Sequence, residues 1–425
     1  MYLSQKMKLE LDNLVISLAE KLSNIEYVEE VLALDGADYK PYSVAVAYPA
    51  LCILFSELNH SFPEYNFDEC AHRYLERVNN YLCNNNINDI SLFDGLCGIG
   101  FAANCMSNNG KYYQSFLKNL NENILNIADR SVLNLSKLPL NETIYDVMYG
   151  LTGTANYLLN FRSESRVKNT LSNILRYLVE ISQISIDGVP KFSIRVDQSQ
   201  MVSLSKFNDS KMRYVNLGVS HGIPGILLIL CKSYKLGIYV ENQLEAIKCL
   251  SEYIFNSCIK NTDTVFWESQ KIIGIENNKA VPARDAWCYG TPGVAYSLLI
   301  AASILNDERL KNLAIDSMKT SLKRLREVIS PTFCHGLSGL CCLSRKFYEY
   351  TNDNYFYEMY INLLKNILDL YSDKHPFGFI NKELEKGEIT NKNEIGLLMG
   401  STGVILTILS CYSPIKTQWD SIFLL

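Results

Sequence analysis

The stretch FCHGLSGLCC, Phe333 to Cys342, sets a G-x-x-G pair at the head of an apolar run, with a cysteine and a histidine directly before it. It has close cousins along the chain: DGLCGIGFAA from Asp94, YGLTGTANYLL from Tyr149, HGIPGILLIL from His221, YGTPGVAYSLL from Tyr289 and MGSTGVILTIL from Met399. The 22 glycines in 425 residues would give roughly one such spacing by chance, so six copies, each opening an apolar helical run, are an internal repeat. A seventh copy, VAYPALCILF from Val46, places Ala47 and Ala50 in the glycine slots, and its Pro49 fills the slot held elsewhere by Pro224 and Pro292. Proline and small residues suit a helix N-terminus, where the missing N–H would have had no partner.

Successive first positions of the motif lie 48, 55, 72, 68, 46 and 64 residues apart, room for two helices and their loops each. The intervening segments, such as YYQSFLKNLNENILNIADR and ERLKNLAIDSMKTSLKRLREVI, carry apolar residues at three-and-four spacing with a charged opposite face. The motif helices are apolar nearly all round and belong inside. Seven alternations of an apolar and an amphipathic helix predict an all-α fold, an α/α barrel with an inner ring wrapped by an outer one. We read residues 1–425 as one domain. Two polar stretches interrupt the pattern: Val189 to Gly218, expected to hold a short hairpin or irregular loop near the barrel mouth, and EKGEITNKNEIG, Glu385 to Gly396, expected to be a solvated loop.

Composition narrows the function classes. Forty basic against 45 acidic residues give a net charge of −5 with no basic cluster, which supplies no footprint for nucleic acid or an anionic membrane. No apolar run is long enough to span a bilayer. The first 22 residues read as an amphipathic helix carrying charges throughout, without the apolar centre of a signal peptide. The expectation is a cytoplasmic protein. Its thirteen cysteines, odd in number and without framework spacing, then suit metal binding or catalysis better than disulfides.

Aligning the repeats on their first glycine gives those cysteines positions. Directly before it stand Val46, Asp94, Tyr149, His221, Tyr289, His335 and Met399; one place earlier stand Ala45, Phe93, Met148, Ser220, Cys288, Cys334 and Leu398. Both slots fall on loops that should open at one rim. Cys288 and Cys334 are therefore equivalent residues of neighbouring repeats, His335 sits beside the second, and His221 lies in the adjacent repeat. Two thiolates and an imidazole converging at a rim form a three-donor site of the kind zinc uses. Cys97, Cys231, Cys341, Cys342 and Cys411, on inner helices, read as small core residues instead.

RDAWCYGTPG together with CHGLSGL, on a chain of seven motif helices, resembles the lanthionine synthetase C-like family, the stand-alone lanthipeptide cyclases; the resemblance runs from about Ser43 to Leu409. It implies an α/α toroid with one zinc ion on Cys288, Cys334 and His335. It implies acid/base residues at Asp146 in YDVMYGLTG and at His221, and Arg284 matches an arginine of the family's active site. The implied reaction adds cysteine thiols of a precursor peptide to dehydroalanine or dehydrobutyrine, forming thioether rings. The implied partners are that dehydrated peptide, a dehydratase and an export transporter, in a complex that would bring the protein to the membrane periphery. From the residues alone, Asp146 also reads as a helix cap, and Arg284 as an ion-pair partner of Asp285 or Asp146. Competing functions are a zinc prenyltransferase-like enzyme, a relative that adds glutathione, and a peptide-binding scaffold without catalysis.

Overall fold

The computed structural model describes residues 4–34, 39–135, 138–200, 211–261, 264–274, 280–385, 387–415 and 417–425. The chain starts with α1 (Gln5–Ser23) and α2 (Ile25–Leu34), then alternates between two layers. The inner helices are α3 (Tyr48–Ser61), α5 (Leu96–Cys105), α8 (Leu151–Leu158), α10 (Ile223–Lys235), α12 (Thr291–Leu305), α14 (Leu337–Thr351) and α16 (Ser401–Tyr412). Between them run the outer helices α4 (Phe67–Asn84), α6 (Gln114–Asn134), α9 (Ser165–Ile181), α11 (Gln243–Asn256), α13 (Glu308–Arg324) and α15 (Asn354–Asp369), with the single turn α7 (Glu142–Tyr145) leading into α8.

Each inner helix packs on the next, and α16 returns to α3, so the ring closes into an α/α toroid. Every residue of α12 from Thr291 to Ala302 is buried, whereas α6 buries only Leu117, Leu120, Asn121, Ile124, Leu125 and Ala128. That contrast is what a helix enclosed on all sides and a helix with one wet face require. Among the described residues no outer helix follows α16; α1 packs against it and completes the seventh pair.

The motif glycines are required by space. Five of the six first glycines have a negative, extended φ and only Gly290 lies at φ 89°. An added Cβ at Gly290 would strike the Arg284 carbonyl, and one at Gly339 would strike the carbonyl of Phe333, because each preceding loop folds back over the helix start. We expect Gly339→Ala to destabilise the fold by about 1–3 kcal/mol through overpacking. Chemical denaturation checks this, and an unchanged midpoint would refute it.

The end of the chain fills the toroid axis. Residues Trp419–Phe423 form a 3₁₀ turn in which the Phe423 ring stacks on Phe333 at 3.7 Å and meets Trp287 at 5.1 Å and Phe93 at 5.8 Å. Trp287 Nε1 donates to the Phe423 carbonyl (3.1 Å), and Asn156 and Lys232 donate to the Ser421 carbonyl at 2.9 and 3.1 Å. Trp287 and Phe333 immediately precede Cys288 and Cys334, so this aromatic floor supports both cysteine loops.

Of the two polar stretches, the first carries an antiparallel strand pair, as its reading allowed, and the second is more ordered than expected. Within Val189 to Gly218, β1 (Ile194–Arg195) pairs antiparallel with β2 (Arg213–Asn216), and β5 (Gln270–Ile272) adds a third strand from beyond α11. Residues 201–210 of that stretch lie outside the described residues. The short strands β3 (Ile259–Lys260) and β4 (Val265–Phe266) form a second pair. The expected solvated loop at Glu385 to Gly396 is in part strand: β6 (Asn381–Glu385) and β7 (Glu388–Lys392) form a five-pair ladder around Gly387, which takes φ 90°. A turn needing positive φ favours glycine. The polar composition there marks a surface hairpin, with one edge turned to the site.

Candidate active site

The seven loops that precede the motif glycines are joined by a closed circuit of backbone hydrogen bonds. It runs Ala45 N–Phe93 O, Phe93 N–Met148 O, Val147 N–Ser220 O, Ser220 N–Cys288 O, Cys288 N–Cys334 O, Cys334 N–Leu398 O and Leu398 N–Ala45 O, each between 2.9 and 3.3 Å. Equivalent residues of the repeats thus become neighbours around one rim. The inner helices all begin there, so their positive dipole ends favour anionic groups at the rim.

On that circuit the donor atoms of Cys288, Cys334 and His335 lie within 4.8 Å of one another. The Cys334 thiol beside it and the adjacent His335 hold the Cys288 thiol well below its ordinary range against the opposing effect of burial; Cys334 is in turn pushed up by Cys288. Burial lowers the His335 pKa, but Cys288 and Glu383 outweigh it and raise the group to about 9. The other cysteines are free thiols too. Cys97, Cys231, Cys341 and Cys342 are buried as expected of core residues, while Cys411, near the end of α16, is only partly so.

His221 and Asp146 form the second cluster. His221 Nδ1 and Asp146 Oδ2 are 2.6 Å apart, and Asp146 Oδ1 accepts the N–H groups of Tyr149 (2.6 Å) and Gly150 (2.8 Å). Asp146 therefore fixes the loop that leads into α8 and holds the histidine; it is not the helix cap read from its sequence context, because the N-cap of α8 is Gly150, with no side-chain cap bond. Burial raises its pKa, with His221 and the two amides pulling the other way. The bond pattern places the proton on Nδ1, which leaves Nε2 for another group. The rings of Tyr149 and Tyr289 flank His221 at 5.8 and 6.1 Å, and Asn216 at the end of β2 donates to the Tyr289 hydroxyl at 3.0 Å.

Arg284 is paired with neither of the partners expected for it. Asp285 is taken by Arg324, whose Nε donates at 2.9 Å, and Asp146 is occupied as described. Arg284 instead faces Glu383 Oε2 at 3.5 Å and Glu327 at 4.0 Å. Glu383 is the residue that sequence reasoning missed. Its other oxygen binds His335 Nε2, and although burial works against its charge, His335 and Arg284 hold its carboxyl below the ordinary range. The polar residues around Glu383 carried no signal for it, because only the hairpin between α15 and α16 brings its carboxylate to the rim. Among the described residues, no helix is long and apolar enough to cross a membrane.

Comparison with known proteins bears on the whole chain. A family profile described as lanthionine synthetase C-like protein matches residues 38–424. The sequence is 22% identical over 357 residues to the nisin biosynthesis protein NisC of Lactococcus lactis subsp. lactis, covering 81% of this chain and 84% of that protein. The structure is similar to that of a nisin cyclase with a TM-score of 0.79 at 20% identity, covering 99% of this chain and 98% of the other.

Proposed function

The chain belongs to the lanthionine synthetase C-like family, and on that premise we propose that it is a zinc-dependent lanthipeptide cyclase. Its reaction adds cysteine thiols of a dehydrated precursor peptide to dehydroalanine or dehydrobutyrine. The observation that carries the proposal is the convergence of Cys288, Cys334 and His335 within 4.8 Å, one repeat away from the His221–Asp146 pair on the same rim.

The three donors fit zinc. Two sulfurs and an imidazole nitrogen are its preferred ligand types, and three protein donors leave one of four positions for an incoming group. When bound, zinc would supply a positive centre that deprotonates a coordinating thiol, against a free thiol that is only about 3% thiolate at neutral pH. The remaining steps belong to the chain. As the peptide sulfur bonds to Cβ of the dehydro-residue, the Cα=Cβ π pair shifts toward the carbonyl oxygen and Cα must gain a proton. His221 Nε2 is the acid/base atom for that transfer, and Asp146 keeps Nδ1 protonated and stabilises the imidazolium. Arg284, anchored by Glu383, sets a guanidinium at the rim for the oxygen on which charge develops. The substrate's dehydro-residues require a dehydrating enzyme upstream, which makes a dehydratase the natural partner; an export transporter would follow ring formation.

The test incubates the protein with a dehydrated peptide that retains its cysteines and counts free thiols over time. Each ring should remove one thiol without changing the mass, and a zinc chelator should stop the loss. Thiol loss no faster than without protein would overturn the assignment. Consumption of added glutathione in place of ring closure would identify the glutathione-adding alternative.

A further inference from the structure

Glu383 reaches the candidate zinc site from outside the repeats. It stands on β6, and the strand period of two puts Asn381 and Glu383 on the same side. Asn381 is buried and tied down: Ser330 Oγ donates to its Oδ1 (2.9 Å), and its Nδ2 donates to Glu394 Oε2 (2.8 Å). Ser330 in turn accepts the Lys382 N–H at 3.2 Å, and its carbonyl accepts the Leu337 N–H that begins α14. The hairpin is thus bolted to the loop that carries Cys334 and His335. With its side chain 13% exposed, Glu383 then spans His335 Nε2 and Arg284.

We propose that Glu383 is a positioning residue of the metal centre: by accepting the Nε2–H of His335 in a hydrogen bond it reserves the Nδ1 lone pair for the metal, and with its second oxygen it holds Arg284 nearby. A neutral imidazole carries its single proton on either nitrogen. The tautomer with the proton on Nδ1 has no lone pair to give the metal from that atom, so a carboxylate at Nε2 selects the binding form and fixes the ring plane. Acting through two side chains at once, Glu383 couples the placement of the ligand to that of the guanidinium.

The inference rests on the zinc reading above, and the experiment separates the two. Zinc affinity is measured by competition with a chromophoric chelator for the unsubstituted protein, Glu383→Ala, Glu383→Gln and Lys382→Ala, with cobalt substitution to report the coordination sphere. Removing such a partner weakens metal binding by about 10–100-fold. That loss is expected for Glu383→Ala, with part recovered in Glu383→Gln, whose amide oxygen accepts the same N–H. Lys382→Ala, on the same strand, should match the unsubstituted protein, which separates the carboxylate from the hairpin. Cobalt bands should keep their positions in Glu383→Gln. Unweakened zinc binding by Glu383→Ala overturns the proposal, as do shifted cobalt bands, which would make Glu383 a ligand itself. Failure of the unsubstituted protein to bind zinc overturns the zinc reading instead.

Discussion

His221→Asn is expected to retain its zinc and lose ring formation by roughly 10² to 10⁴ in rate, the range general acid/base catalysis contributes. The motivation is the pairing of His221 Nδ1 with Asp146 at 2.6 Å, while Cys288, Cys334 and His335 form a separate group. Asparagine can still donate to Asp146 through its amide, so the loop bonds at Tyr149 and Gly150 should survive and the loss should report proton transfer. Metal content and thioether formation are measured on the same preparation. Loss of zinc would make His221 a fourth ligand and close the site; full zinc with unchanged ring formation would remove it from the mechanism.

Cys334→Ala should lose both zinc and activity while remaining folded. An apparent binding energy of about 10 kcal/mol or more shared among three protein donors gives roughly 3 kcal/mol each, or on the order of 10²-fold weaker binding when one is removed. Folding should persist because the ring is closed by seven packed inner helices and a backbone circuit that uses the Cys334 N–H and carbonyl, which alanine keeps. Elemental analysis and helical circular dichroism check the two halves. Full zinc in the variant would remove Cys334 from the ligand set, and loss of helix would mean that the metal holds the toroid together.

The repeats made much of this site legible because a closed ring of like units converts sequence position into spatial position. Cys288 and Cys334 share a slot, and the backbone bond from Cys288 N to Cys334 O realises that equivalence. His335 follows by one residue. Asp146 and His221 are seventy-five positions apart, yet they meet because they occupy consecutive repeats and their loops are bonded through Val147 and Ser220. Arg284 was placed through the family resemblance, but its partners were not, since Asp285 beside it is consumed by Arg324 on α13.

The apolar periodicity and the G-x-x-G spacing determined by themselves an α/α toroid, because a helix apolar on all sides can be buried only by helices on all sides. They also determined which residues line its rim, since one repeat places its slots as the next one does. Three things were decided only in the tertiary structure: α1 backing α16, Phe423 seating under Trp287 and Phe333, and Glu383 reaching His335 from β6. None of them repeats. Each brings a segment from outside the periodic pattern into a space left by the closing ring, and local spacing carries no information about which distant segment will fill such a space. For Glu383 the polar residues around it pointed to solvent, and only the hairpin's anchorage through Asn381 and Ser330 turned its carboxylate inward.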